Sequence, residues 1–82
     1  MLYAKFMYPD NGYNSDIKSA KEAGLKIGAN YEVADIIMGQ SHTSIYLQNI
    51  NGSFNAVQFD FEEDGQPVDI YRTTKYNPYL YI

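Results

Sequence analysis

Apolar and polar positions alternate with a period of two through the centre of the chain. Val57, Phe59 and Phe61 alternate with Gln58, Asp60 and Glu62, and upstream Ile45 and Leu47 alternate with Ser44, Tyr46 and Gln48. That period belongs to half-buried β-strands. Between the two runs stands Asn51-Gly52, a pair suited to the positive φ angles of a type I′ hairpin turn. The stretch from Tyr31 to Tyr71 therefore reads as one continuous antiparallel meander, with Thr43 to Gln48 and Phe54 to Glu62 as its central hairpin. The apolar phase slips between Val33 and Ile36, which predicts a β-bulge near Ala34-Asp35 or burial on both faces. Phe54 stands out of phase with Val57, predicting a second bulge near Asn55-Ala56. Glu63-Asp-Gly-Gln66 reads as a turn, and Val68 to Tyr71 as the next strand, with Pro67 at its start where a missing N–H is tolerated.

The flanks read differently. Leu2 to Tyr8 is predicted as a first strand, ending at the turn-rich Pro9-Asp-Asn-Gly12. A short helix follows, capped by Asn14 or Ser15 and carrying Asp16 where the helix dipole favours an anion. Ile17, Ala20 and Ala23 or Gly24 form its narrow apolar stripe, and Gly24 suits the left-handed C′ position, with Leu25 after it. So short a helix persists only if docked. Gly39 to His42 turns the chain. The tail from Tyr76 to Ile82 is too apolar for a disordered end, and is expected to pack as an edge segment beside the first strand. Bulges bend strands and closure removes exposed edges, so about five antiparallel strands with one N-terminal helix predict a mainly β, small SH3-like barrel. An α+β roll is the alternative.

Composition narrows the core and the setting. With 82 residues the chain is expected to form a single domain, 1–82, which buries roughly 60% of the surface its unfolded chain would expose. Its 9 Tyr and 4 Phe, without Trp, must supply much of so thin a core. The chain has no Cys, hence no disulfide, thiolate nucleophile or Cys-based metal site, which suits a reducing cytoplasm. No apolar run approaches the ~20 residues that cross a bilayer. Met1 to Tyr8 lacks the pattern of a signal peptide, so the glycosylation match at Asn51-Gly-Ser53 reads as an accident of the turn.

Charge sets the expected partner. The net charge is −4 and the pI near 4.6. Residues 1–41 hold four cations and five anions, residues 42–82 two cations and five anions. Binding to a phosphate backbone draws its affinity from Lys and Arg, so direct nucleic-acid binding is not expected. A basic protein surface is the better match.

Few residues offer chemistry. His42, the single histidine, has no evident nucleophile or orienting partner near it in sequence, and reads as a turn histidine. Asp10-Asn-Gly-Tyr-Asn-Ser-Asp16 alternates oxygen ligands but lacks the ordered glycine and closing glutamate of a calcium loop; a turn and a helix cap account for it. The densest charge cluster is Asp60, Glu62, Glu63 and Asp64, either a solvated face or an acidic patch for a basic partner. Tyr76, Tyr79 and Tyr81 crowd the tail, either as core or as a platform that anchors a protein partner. No phosphate loop, zinc spacing, nucleophile–base pair or dinucleotide fingerprint is present, so neither an enzyme nor a bound cofactor or metal is expected.

One resemblance rests on the strand and turn motifs. Tyr31-Glu-Val, the run from His42 to Leu47, Gly52 to Phe61, and Asp69-Ile-Tyr71 resemble small uncharacterised proteins of Firmicutes phages and mobile elements. It covers about the C-terminal two-thirds of the chain, with the N-terminal strand and helix read as particular to this member. The resemblance implies a phage or mobile-element origin and supplies no catalytic residues. The expected function is a small acidic protein that binds and modulates a host protein in the host cytoplasm, in its sharpest form an inhibitor of a nucleic-acid-handling defence enzyme. The alternative is a ligand- or nucleic-acid-binding barrel that uses surface tyrosines.

Overall fold

In a computed structural model that describes residues 1–80, the chain forms one sheet of six antiparallel strands with one short α-helix. The strands are β1 (Leu2–Phe6), β2 (Asn30–Met38), β3 (Thr43–Leu47), β4 (Phe54–Asn55), β5 (Phe59–Glu63) and β6 (Gln66–Pro67), and the helix α1 is Asn14–Glu22. Their spatial order is β4-β3-β2-β1-β5-β6. The sheet is open rather than closed into a barrel. It counts six strands instead of five because a 3₁₀ turn at Ala56–Gln58 splits the expected Phe54–Glu62 strand in two. Both edges are blunted by two-residue strands, one carrying Pro67, so the open sheet offers little unpaired backbone.

The expected meander is interrupted by the first strand. β1 lies between β2 and β5, with Tyr3 opposite both Glu32 and Glu62, and Phe6 opposite Phe59. The cause is at Asn55 to Gln58. The Asn55 side chain accepts from the Val57 N–H at 3.2 Å, and the wholly buried Gln58 donates through Nε2 to the Pro9 carbonyl at 3.1 Å. These bonds turn the chain away from β3, which keeps only Phe54–Asn55, and deliver Phe59–Glu63 to β1. The described part of the tail therefore does not lie beside β1, both of whose edges are occupied, and residues 81–82 lie outside the described residues. Thr73 to Leu80 winds instead through turns tied by bonds such as Tyr76 N–H to Thr73 O, 3.2 Å.

Other expectations meet the structure more closely. The register shifts between Val33 and Asp35, where the bulge was read. Gly24 closes α1 at φ +74°, with its N–H on the Lys21 carbonyl and the Leu25 N–H on the Ala20 carbonyl, a Schellman end. At the other end the cap is Tyr13 rather than Asn14 or Ser15, and Asp16 Oδ2 accepts the Tyr13 N–H at 2.8 Å. The Asn51-Gly52 pair is not a two-residue turn: the link from β3 to β4 spans residues 48–53, with Asn49 and Gly52 both at positive φ. The tight hairpin lies at Asp64-Gly65 instead, with φ +52° and +81° and Glu63 facing Gln66. Val68 to Tyr71 is not a strand; β6 ends at Pro67 and Ile70–Arg72 is a 3₁₀ turn.

One face of the sheet is covered. Leu2, Ala4 and Phe6 of β1 meet Phe59 and Phe61 of β5, Ile45 and Leu47 of β3, Ala20 of α1 and Ile70 of the C-terminal segment. Ala4 sits between Tyr31 and Phe61 across the ladders, where a larger side chain would displace one of the rings. Phe59 packs at 5.4 Å from Phe6 and 6.4 Å from Phe61, centroid to centroid.

Candidate functional site: the open sheet face and an aromatic cleft

Side chains alternate between the faces of a sheet, so residues paired across the ladders with the buried ones excluded define the opposite, uncovered face. Tyr3 stands between Glu32 and Glu62, Lys5 between Asn30 and Asp60, Tyr46 opposite Asp35, and Ile37 opposite Ser44. Four carboxylates thus share this face with one lysine. Tyr3, Tyr46 and Ile37 are exposed among them. At the β5–β6 side a shallow groove of 450 Å³ joins Lys5, Met7, Asp60 and Glu62 to Val68 and Asp69. The Tyr8 hydroxyl donates to both oxygens of Asp60, at 3.0 and 3.1 Å. That bond, and the negative charge beside it, raise the pKa of Tyr8.

The four acids read as one cluster in the sequence divide in the structure. Asp60 and Glu62 lie on the uncovered face. Glu63 points the other way, where its carboxylate takes both the Lys75 ammonium and the Tyr76 hydroxyl. Those two partners, Lys75 first, hold its pKa below the usual carboxylate range. Asp64 sits in the hairpin turn and pairs with the Met1 ammonium at 2.9 Å, which lowers its pKa too. Of the tail tyrosines, Tyr76 is half-buried against the core, and its own pKa is raised by burial and then by Glu63. Tyr79 is exposed, and Tyr81 lies outside the described residues. Among the described tail tyrosines, Tyr76 meets Glu63 and Tyr79 lines a cleft at the Gly39–His42 turn.

A second feature was not legible in the sequence. A cleft of 770 Å³ opens where the Gly39–His42 turn, the loop before α1 and the C-terminal segment converge, and Tyr13, Tyr71, Tyr79 and His42 line it. Three asparagines are fixed in its walls. Asn11 Nδ2 donates to Val57 O at 3.1 Å, Asn55 Nδ2 to Asp16 Oδ2 at 3.0 Å, and Asn77 Nδ2 to Tyr71 O at 2.7 Å. Asp16 thus serves both the helix start and the cleft wall. Glu32, Asp35, Tyr3 and Tyr46 were likewise missed. Their alternation with buried neighbours was visible, but only the pairing of β1 between β2 and β5 brings them onto one surface with Asp60 and Glu62.

Fold and surface together describe a small one-layer β protein with an acidic, aromatic-studded sheet face. The chain belongs to the bacteriophage T4 protein Y07B family, whose model matches residues 1–82. The match includes the N-terminal strand and helix, which are therefore family features, and it names a phage. No curated protein and no solved structure matches the chain.

Proposed function

We propose that this phage protein acts by binding, and that it docks the uncovered face of its sheet on a basic surface of a host protein and modulates that protein. The observation that carries the reading is the gathering of Glu32, Asp35, Asp60 and Glu62 around Tyr3 and Tyr46, with Lys5 as the cation among them. Carboxylates on a sheet cannot spread apart, and their summed field steers a basic partner. Exposed tyrosines supply contact area at low entropic cost. In its sharpest form the partner is a nucleic-acid-handling defence enzyme in the host cytoplasm, and the acids occupy a groove that expects phosphates. The absence of Cys suits that compartment. A Firmicutes or mobile-element origin rests on the sequence resemblance alone.

The test is affinity capture from host extract at low salt with the wild type and with Asp60→Lys/Glu62→Lys, which takes the net charge from −4 to zero. A basic protein retained by the wild type and lost by the variant supports the reading. Equal retention by both overturns it, as does tight, steeply salt-dependent binding of single-stranded DNA or RNA by the wild type at physiological salt.

A further inference from the structure

We propose that the cleft between Tyr13, Tyr71 and Tyr79 is a second binding site, distinct from the acidic sheet face, and that it takes an uncharged, proline-rich extended peptide segment. Tyr13, Tyr71 and Tyr79 are 71%, 43% and 52% exposed. Rings so exposed yet set around a concave space of 770 Å³ leave apolar surface on which none of the described residues packs. The volume falls within the range of roughly 300–1,000 Å³ usual for ligand sites.

The lining selects the ligand class. Among the described residues no Lys, Arg, Asp or Glu lines the cleft, so their side chains offer neither the cations that a phosphate needs nor the anions that a basic peptide needs. A neutral sugar would call on planar amides for paired hydrogen bonds to its hydroxyls. The amides of Asn55 and Asn77 are already occupied on both sides: Asn55 by Asp16 and the Val57 N–H, Asn77 by the Tyr71 carbonyl and the Tyr79 N–H. The Gln40 amide and the side chains of Ser41 and His42 also line the cleft, and beside them stand three exposed tyrosine rings with their hydroxyls. A polyproline II segment fits those rings. It is apolar and already extended, it has few N–H groups that need acceptors, and its carbonyls accept from tyrosine hydroxyls. The same bonds that use up the asparagines also hold the walls, because Asn77 ties Tyr71 to Tyr79 and Asn11 ties the loop before α1 to Val57.

The experiment is a ¹H–¹⁵N NMR titration of the full chain with a decaproline peptide, a Gly-Ser peptide of equal length and a neutral glucose oligosaccharide. Saturable shifts with decaproline alone, centred on Tyr13, Tyr71, Asn77 and Tyr79, are expected. Tyr71→Ala should weaken binding about tenfold or more, as loss of an aromatic anchor does, and Tyr71→Phe less, since it keeps the ring. Tyr46→Ala, on the other face, should leave it unchanged. No shifts at millimolar decaproline overturn the proposal, as does preference for the oligosaccharide or a shift pattern centred on Tyr3 and Tyr46. Asp60→Lys/Glu62→Lys should still bind the peptide, so the two sites fail or stand separately.

Discussion

At Phe59 and its neighbours the difference between sequence and structure can be weighed side chain by side chain. The alternation places Val57, Phe59 and Phe61 on one buried face. The structure keeps Phe59 and Phe61 inside, but exposes Val57 and buries Gln58 completely. Phe59→Ala should therefore cost ~3–5 kcal/mol, the range for emptying a packed aromatic site, whereas Val57→Ala should fall within about 0.5 kcal/mol of wild type. Chemical denaturation of both variants checks this, and equal losses would restore the uninterrupted strand. Gln58 shows why the phase was hidden. Its Nε2 donates to the Pro9 carbonyl, 49 residues away in sequence, while its Oε1 is buried without a partner among the described residues, and a buried polar group of that kind is not legible from a local pattern. Glu63 is the second residue whose surroundings the sequence conceals. Its folded pKa is depressed by Lys75 and Tyr76, so the stability it contributes is present above the ordinary carboxylate pKa and is lost as pH falls through the lower folded value. Asp64 adds a loss of the same sign through its pair with the Met1 ammonium. Melting temperatures from pH 6 down to about pH 2 should fall for the wild type, and should fall less steeply for Glu63→Gln, which no longer titrates there. Parallel curves would show that the carboxylate does not hold the tail.

At the scale of elements, local signals were legible wherever one short stretch decides the outcome. The Gly24 end of α1, the bulge at Ala34-Asp35 and the Asp64-Gly65 turn all follow from backbone preferences within a few residues. Gly24 stands at φ +74° with open space where a Cβ would project. Gly24→Ala should therefore cost about 1 kcal/mol through left-handed strain alone, without a clash. A loss several times larger in thermal or chemical denaturation would mean that the residue packs against something. What local signals could not convey is strand order. Asn51-Gly52 favours a tight hairpin by composition, yet the bonds from Asn55 and Gln58 redirect the chain, and β5 finds β1 instead of extending the pairing with β3. The expected barrel depended on that lost continuity.

For the whole molecule, the acidic character was plain in the sequence and its distribution was not. The run at residues 60–64 reads as one patch along the chain. In the sheet, alternation sends Asp60 and Glu62 to the uncovered face, sends Glu63 to the Lys75–Tyr76 clamp, and leaves Asp64 at the turn. Glu32 and Asp35 join the first two because β1 bridges β2 and β5. The surface that meets a partner is thus assembled from four strands, β1, β2, β3 and β5, and Glu63 is better left untouched when that surface is tested. Asp60→Lys/Glu62→Lys loses the Tyr8–Asp60 bond and sets a like charge opposite Lys5. The variant should therefore be less stable than wild type by about 1 kcal/mol while losing its steering field. The most direct measurement is the association rate of the captured host protein with wild type and with this variant across a series of salt concentrations. The wild-type rate should fall steeply as salt rises toward about 0.15 M, where the screening length is ~8 Å, and the variant should associate slowly throughout with little salt dependence. Equal rates at the lowest salt would contradict a role for the sheet face in meeting a basic partner.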